Sequence, residues 1–140
     1  MRIVADTNVI VSAFLWGGTP RRLLDAVEAQ HFELFTSRAL VAELEDVLMR
    51  EKFADQLKQT RFTSAFLIAR YTQLATLIAP AEVAAPELRD PKDIHVLACA
   101  LAAGAEAIVS GDSDLRVLGS YQGIPVLSPT DCLRRRPTVS

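Results

Sequence analysis

A single α/β domain on a mainly parallel sheet is the fold this sequence predicts, and three observations predict it. Short β-rich runs alternate with longer helical patterns, the signature of strands joined by helical crossovers. The 140 residues, 50% of them hydrophobic, can bury one sizeable core and hardly two. No internal repeat or low-complexity linker divides the chain. The expected architecture is a three-layer α/β/α sandwich over residues 1–140, with four to five strands.

The elements follow in order. Arg2-Ile3-Val4-Ala5 reads as a buried strand that stops at Asp6-Thr7-Asn8, three side chains suited to turns and helix caps. Val9 to Leu15 then continue as a helix, which Gly17-Gly18 breaks. Thr19 and Pro20 have the N-cap and first-turn character to start another helix, carrying Leu23, Leu24 and Val27. A second strand runs from Phe32 to Phe35. Thr36 and Ser37 open a helix whose apolar positions, Leu40, Val41, Leu44, Val47 and Leu48, recur on one face until it ends near Met49-Arg50. A further stripe, including Phe62, Phe66, Tyr71, Leu74 and Leu77, predicts a helix from Arg61 to Ile78. Pro80 and Pro86 mark a loop, after which Asp90-Pro91-Lys92-Asp93 introduces a helix rich in small residues that Gly104 ends. Ala107-Ile108-Val109 reads as a buried strand, Ser110 to Asp114 as the turn into a short helix through Leu118, and Ile124 to Leu127 as the last strand. Pro129 opens a short helix that ends in Arg134-Arg135-Arg136.

Composition limits the function classes. A net charge of −2 and a pI near 5.7 leave no overall electrostatic footprint for a polyanion, so any such affinity must come from local basic patches or bound cations. Arg21, Arg22, Arg38 and Lys92 near helix starts are candidates for phosphate contacts, as is the Arg134–Arg136 run, although solvated surface charge explains each singly. Cys99 and Cys132 lack metal-ligand or redox spacing and read as reduced thiols. His31 reads as an exposed loop residue and His95 as a helix-surface residue. The apolar run before Asp6 is too short for a signal peptide, and no stretch reaches about 18 apolar residues. A soluble, cytoplasmic protein that does not enter a membrane is expected.

The chemistry is carried by carboxylates. Asp6 ends the first strand and Asp112 follows the strand Ala107–Val109, so in a parallel sheet both emerge beyond the strands' carboxyl ends, where ligands of open α/β sheets bind. Asp90, Asp93 and Asp114 lie at helix starts that adjoin the same edge if the crossovers are right-handed. Five carboxylates are thus candidates to converge. Two like charges about 4 Å apart repel by about 4 kcal/mol at an effective dielectric of 20, so such a cluster either keeps protons or binds cations. An all-oxygen set suits Mg²⁺ or Mn²⁺, one ion or two, and the absence of histidine and cysteine from these motifs disfavours zinc. Each acid also has a capping role open to it: Asp90 as an N-cap, Asp93 as its partner three positions on, and Asp112 and Asp114 in the next helix's first turn. Glu43 and Glu45 flank the apolar stripe of their helix on opposite sides, and periodicity does not choose between them.

Taken in order, Ile3-Val4-Ala5-Asp6-Thr7-Asn8, Ala42-Glu43-Leu44-Glu45-Asp46-Val47-Leu48, Asp90-Pro91-Lys92-Asp93 and Ile108 to Leu115 resemble PIN domains over nearly the whole chain. The sequence is most similar to the toxin components of toxin–antitoxin systems in that family, relatives of the VapC-like ribonucleases. The resemblance implies that Asp6, Glu43, Asp93 and Asp112 match the family's acidic metal-site positions, with Asp114 as a frequent fifth carboxylate. It selects Glu43 over Glu45. It implies that Thr7 and Asn8 support the first aspartate, and that Asp90 caps a helix with an outer-shell role. It also implies a metal-dependent endoribonuclease that leaves 5′-phosphate and 3′-hydroxyl ends, restrained by a cognate antitoxin. Many such domains form homodimers, and the helices from Arg38 to Ile78 offer candidate surface.

In that chemistry, metal ions stabilise charge on the phosphoryl and leaving oxygens while water attacks in line, and either Asp112 or Asp114 is a candidate to accept the water's proton. The 2′-hydroxyl of RNA plays no part in it. The leading alternative is a catalytically silent PIN-like module that binds RNA or protein; the four matching acids argue against it. A phosphoacceptor receiver domain wants a lysine after the last strand, where Ser128-Pro129-Thr130 stands. A Toprim-like fold wants a glutamate where Asp6 stands.

Overall fold

The computed structural model describes residues 1–81, 91–111 and 113–135, the side chains of 91, 92, 113 and 114 excepted. The chain runs β1 (Arg2–Ala5), α1 (Thr7–Leu15), α2 (Gly18–Glu28), β2 (Glu33–Thr36), α3 (Arg38–Leu48), a 3-10 turn (Glu51–Phe53), α4 (Ala54–Thr60), α5 (Ser64–Leu74), β3 (Ala75–Leu77), α6 (Pro91–Ala103), β4 (Ala107–Val109), α7 (Ser113–Leu118), β5 (Ser120–Tyr121), β6 (Ile124–Leu127) and α8 (Pro129–Arg134). The sheet has the order β3-β2-β1-β4-β6-β5, with every pairing parallel except β5 with β6.

Alternation along the strands builds the three layers, because successive side chains leave a strand on opposite faces. Ile3, Ala5, Leu34, Ala107 and Val109 face one core, shared with Leu23, Leu44, Leu67 and Tyr71. Val4, Phe35 and Ile108 face the other, shared with Val96, Leu97, Ala100 and Leu115 of α6 and α7. The helix α3 contributes to both, Leu44 to the first and Leu40 to the second, and packs against α1 on one side and α6 on the other. The α/β/α class expected from the sequence is the one observed.

The sheet has six strands rather than four or five, and each extra strand has a local cause. The stripe predicted as one helix from Arg61 to Ile78 begins at Ser64, where Thr63 caps it, and is helical only to Leu74. Ala75 turns extended, and Ala75, Thr76 and Leu77 pair with Leu34, Phe35 and Thr36. Long-range pairing to β2 has overridden a helical period that Leu74 and Leu77 happen to satisfy. Gln122 and Gly123, with φ of 47° and 82°, make a two-residue turn that folds β5 back on β6.

Other parts of the chain differ from expectation, β2 running Glu33–Thr36 rather than from Phe32 to Phe35. Helix α2 starts at Gly18, so Thr19 is inside the first turn and is not the N-cap; Gly17 and Gly18 both take positive φ and turn the chain one residue early. None of the residues of α4 is buried, which is why no apolar period revealed it. His31 is half-buried rather than exposed, and His95 lies on the surface of α6. Trp16 is 54% exposed and meets Phe53 edge-on at 5.5 Å. Among the described residues no helix is long and apolar enough to cross a membrane.

Candidate active site

The strands β2, β1, β4 and β6 end side by side, and each is followed by a residue with a polar side chain: Ser37, Asp6, Ser110 and Ser128. Three of these cap the next helix. Asp6 Oδ1 accepts the Val9 N–H at 2.9 Å, Ser37 Oγ accepts the Leu40 N–H at 3.4 Å, and Ser128 Oγ accepts the Asp131 N–H at 3.1 Å. Capping of this kind contributes about 1 kcal/mol per helix. The positive end of α1 also favours a carboxylate at Asp6.

The register of β1 on β4 brings Asp6 and Ser110 together. Ala5 pairs with Val109, the Asp6 N–H donates to the Val109 carbonyl at 3.0 Å, and the next step of the ladder sets Ser110 beside Asp6. The Ser110 hydroxyl donates to Asp6 Oδ2. Asp6 is 6% exposed, so its carboxylate depends on such donors to offset the cost of burial.

Asp93 arrives from the opposite layer. At the far end of α6, the Arg2 guanidinium donates to the Ala103 carbonyl, tying the last residue of the helix to the first of β1. The helix therefore runs against the strands it packs on, and its first turn, with Asp93 likewise 6% exposed, lies at the carboxyl edge. Glu43 sits in the second turn of α3, about 9 Å along the helix axis from Ser37. It is half-buried, whereas Glu45 is exposed.

The buried polar and charged residues among those described are Asp6, Thr7, Thr36, Ser37, Asp93 and Ser110. All of them lie at this one edge. Buried polar groups are costly, and a fold that confines them to one place has a use for them there. Tyr71 reaches the same edge from α5, its hydroxyl donating to Thr36 Oγ1 at 2.7 Å.

A family model described as PIN domain matches residues 2–114. The chain belongs to the PIN-domain family. No curated protein matches it. The PIN fold is a nuclease-type fold, and PIN nucleases bind RNA and typically use divalent metals.

Of the acids singled out in the sequence, this PIN domain sets Asp6 and Asp93 buried at the carboxyl edge, with Glu43 on the helix that touches both layers. Asp90, Asp112 and the side chain of Asp114 lie outside the described residues. Among the described residues no three Asp, Glu, His or Cys side chains form a metal-holding group. Thr7 is buried and Asn8 exposed, both in the first turn of α1. Arg38 is exposed at the start of α3; Arg21 is paired with Asp25 at 3.9 Å and Arg134 with Asp131 at 3.8 Å, exposed pairs worth little. The Lys92 side chain and Arg136 are outside the described residues. Ser110 was read only as part of a turn, and Thr36, expected to open a helix, is the last residue of β2; the signal available was that each stands at the end of a buried run.

Two cavities differ in their relation to this arrangement. One of 460 Å³ borders the edge itself, with Asn8 and Gly111 in its lining. The larger, 560 Å³, lies between α1, α2 and α5, away from the acids, with Trp16, Phe62 and Phe66 among its lining.

Proposed function

We propose that this protein is a divalent-metal-dependent endoribonuclease, the toxin of a toxin–antitoxin pair. The observation that carries the reading is the confinement of the described buried polar residues to the carboxyl edge of the sheet, centred on Asp6 and Asp93. The donor set is all carboxylate oxygen, which fits Mg²⁺ or Mn²⁺ and not a soft metal. Asp6, Glu43, Asp93 and Asp112 are the residues that would hold one or two such ions, with Asp114 as a further acid. A cation bound there neutralises charge on the phosphoryl group and lowers the pKa of attacking water. Ser110 and the α1 N-terminus fix the direction of the Asp6 carboxylate, Thr7 and Asn8 flank it, and the family resemblance gives Asp90 a helix-capping and outer-shell role. Asp112 or Asp114 takes the proton of the attacking water.

The toxin role rests on the resemblance to that group within the PIN family, and it brings an antitoxin partner and cytoplasmic location with it. The exposed Phe62 and Phe66 rings, stacked 4.5 Å apart, supply apolar surface for a second copy of the chain.

The test is cleavage of single-stranded and structured RNAs by purified protein with Mn²⁺, Mg²⁺ or EDTA, beside Asp6→Asn and Asp112→Asn. Cleavage that needs the metal and falls in both variants supports the reading. Cleavage that survives EDTA, or persists equally in both variants, sinks it. A small antitoxin-like reading frame beside this one favours the toxin role over general RNA processing.

A further inference from the structure

Metal-assisted phosphodiester hydrolysis makes no use of the 2′-hydroxyl, so a nuclease of this kind must distinguish RNA from DNA by some other contact. The 460 Å³ cleft beside the acids has the composition for it. Its size is within the range of small-molecule sites. Asn8 and Ser12, one helical turn apart on α1, line it together with Thr19 of α2 and Thr130 of α8. Pro20 and Pro129 add flat apolar surface, and among the described residues none that line it is charged.

The position of the cleft is fixed by the chain. Asn8 is two residues past Asp6, Gly111 follows Ser110 directly, and Thr130 stands in the first turn after β6, the strand beside β4. A group lodged there lies next to the acidic edge. Among the described residues the lining offers a phosphate no cation, whereas it offers a nucleoside hydroxyl and amide partners for its sugar and proline faces for its base.

We propose that the cleft holds the nucleoside adjoining the cleaved phosphate, and that Thr19, Thr130 and Ser12 recognise its ribose 2′-hydroxyl, both a donor and an acceptor. The assignment rests on the ribonuclease reading for the identity of the phosphate beside it. Its test is binding, measured without cleavage.

Fluorescein-labelled eight-nucleotide degenerate pools of RNA, DNA and 2′-O-methyl RNA are titrated with protein in EDTA and followed by anisotropy. The RNA pool is expected to bind about tenfold more tightly than the other two, the effect of one good hydrogen bond. Thr130→Val and Thr19→Val are expected to bring RNA and DNA within about twofold of each other, and Ser12→Ala to narrow the gap. Thr72→Val, on the exposed face of α5, is expected to leave it intact. Thr130 is exposed, so its substitution is tolerated by the fold, as thermal melting of each variant checks. Equal binding of the three pools by the wild type, binding of none, or an RNA preference unchanged in all three cleft variants overturns the proposal. Preference without metal-dependent cleavage overturns the ribonuclease reading instead.

Discussion

Ser110 at the end of β4 donates its hydroxyl hydrogen to Asp6 at the end of β1, joining residues 104 apart in sequence. Both side chains are buried, and the same carboxylate caps α1 through its other oxygen. The bond therefore links strand pairing, a helix start and the proposed metal site. Removing it with Ser110→Ala takes a donor from a buried carboxylate, which costs about 1–3 kcal/mol. It also frees the carboxylate to turn; loss of a group that orients a metal ligand costs about 10- to 100-fold in metal affinity or activity. The expected result is a lower unfolding free energy together with a higher Mn²⁺ requirement for cleavage, and Ser110→Thr restoring part of the second. A variant that is less stable but needs no more Mn²⁺ shows Ser110 to be structural only.

Tyr71 and Thr36 form another buried side-chain bond near this edge, and here the expectation is purely one of stability. Tyr71→Phe leaves Thr36 without this donor and is expected to cost about 1–2 kcal/mol, as is Thr36→Val. Urea unfolding of both single variants and the pair forms a double-mutant cycle. A coupling energy near zero would show that the 2.7 Å bond contributes nothing net.

Buried thiols make stability fall in alkali. Burial pushes the Cys99 thiol from 9.0 up to about 12, and the Cys132 thiol up to about 11, against the pull of Arg135 and the N-terminal amine. Above pH 9 the unfolded chain loses these protons while the folded one keeps them, so stability, complete below pH 9, declines as pH rises toward 11 to 12. The slope is at most about 1.4 kcal/mol per pH unit for each thiol. Tyr71, raised by burial to about 12, adds a similar decline from pH 10. Urea unfolding at pH 8, 9, 10 and 10.5 is expected to show the decline, with a shallower one in Cys99→Ala. Identical slopes in the two proteins would count against it.

Legibility in the sequence followed locality. Asp6 was readable because a short buried run, a turn-forming trio and a helix start lie within eleven residues, and the strand–helix boundary fixes where the side chain emerges. Asp93 was readable as a helix-start acid for the same reason. Ser110 was not, because its partner lies across the sheet and only the β1–β4 register reveals it. The strand β3 was hidden for a similar reason: Leu74 and Leu77 fit a helical period, and only pairing with Leu34–Thr36 makes Ala75–Leu77 extended. The hairpin at Gln122-Gly123 did carry a local signal, a glycine in a two-residue turn before an apolar strand, but a two-residue strand has too short a pattern to register.

Glu43 and Glu45 put the family resemblance to its sharpest test. Both border the apolar face of α3, and periodicity alone ranks them equally. Glu43 is half-buried and falls three residues after Leu40 and four before Val47, both buried, so it stands above the seam where α3 meets its neighbours. Glu45 is exposed and lines a smaller cavity, of 260 Å³, with Thr36, Thr72 and Leu77. If Glu43 is a metal ligand, Glu43→Gln keeps the size and removes the charge, and its loss is expected to exceed the roughly 100-fold that a group merely orienting a ligand can cost. Glu45→Gln is expected to change cleavage by less than about twofold. Neither substitution touches a fully buried side chain, so the unfolding free energies of both are expected to stay within about 0.5 kcal/mol of wild type. The decisive measurement is cleavage rate against Mn²⁺ concentration for the two variants side by side. Equal activity in both, with both folded, removes Glu43 from the proposed site and leaves Asp6, Asp93 and Asp112 to hold the metal without it.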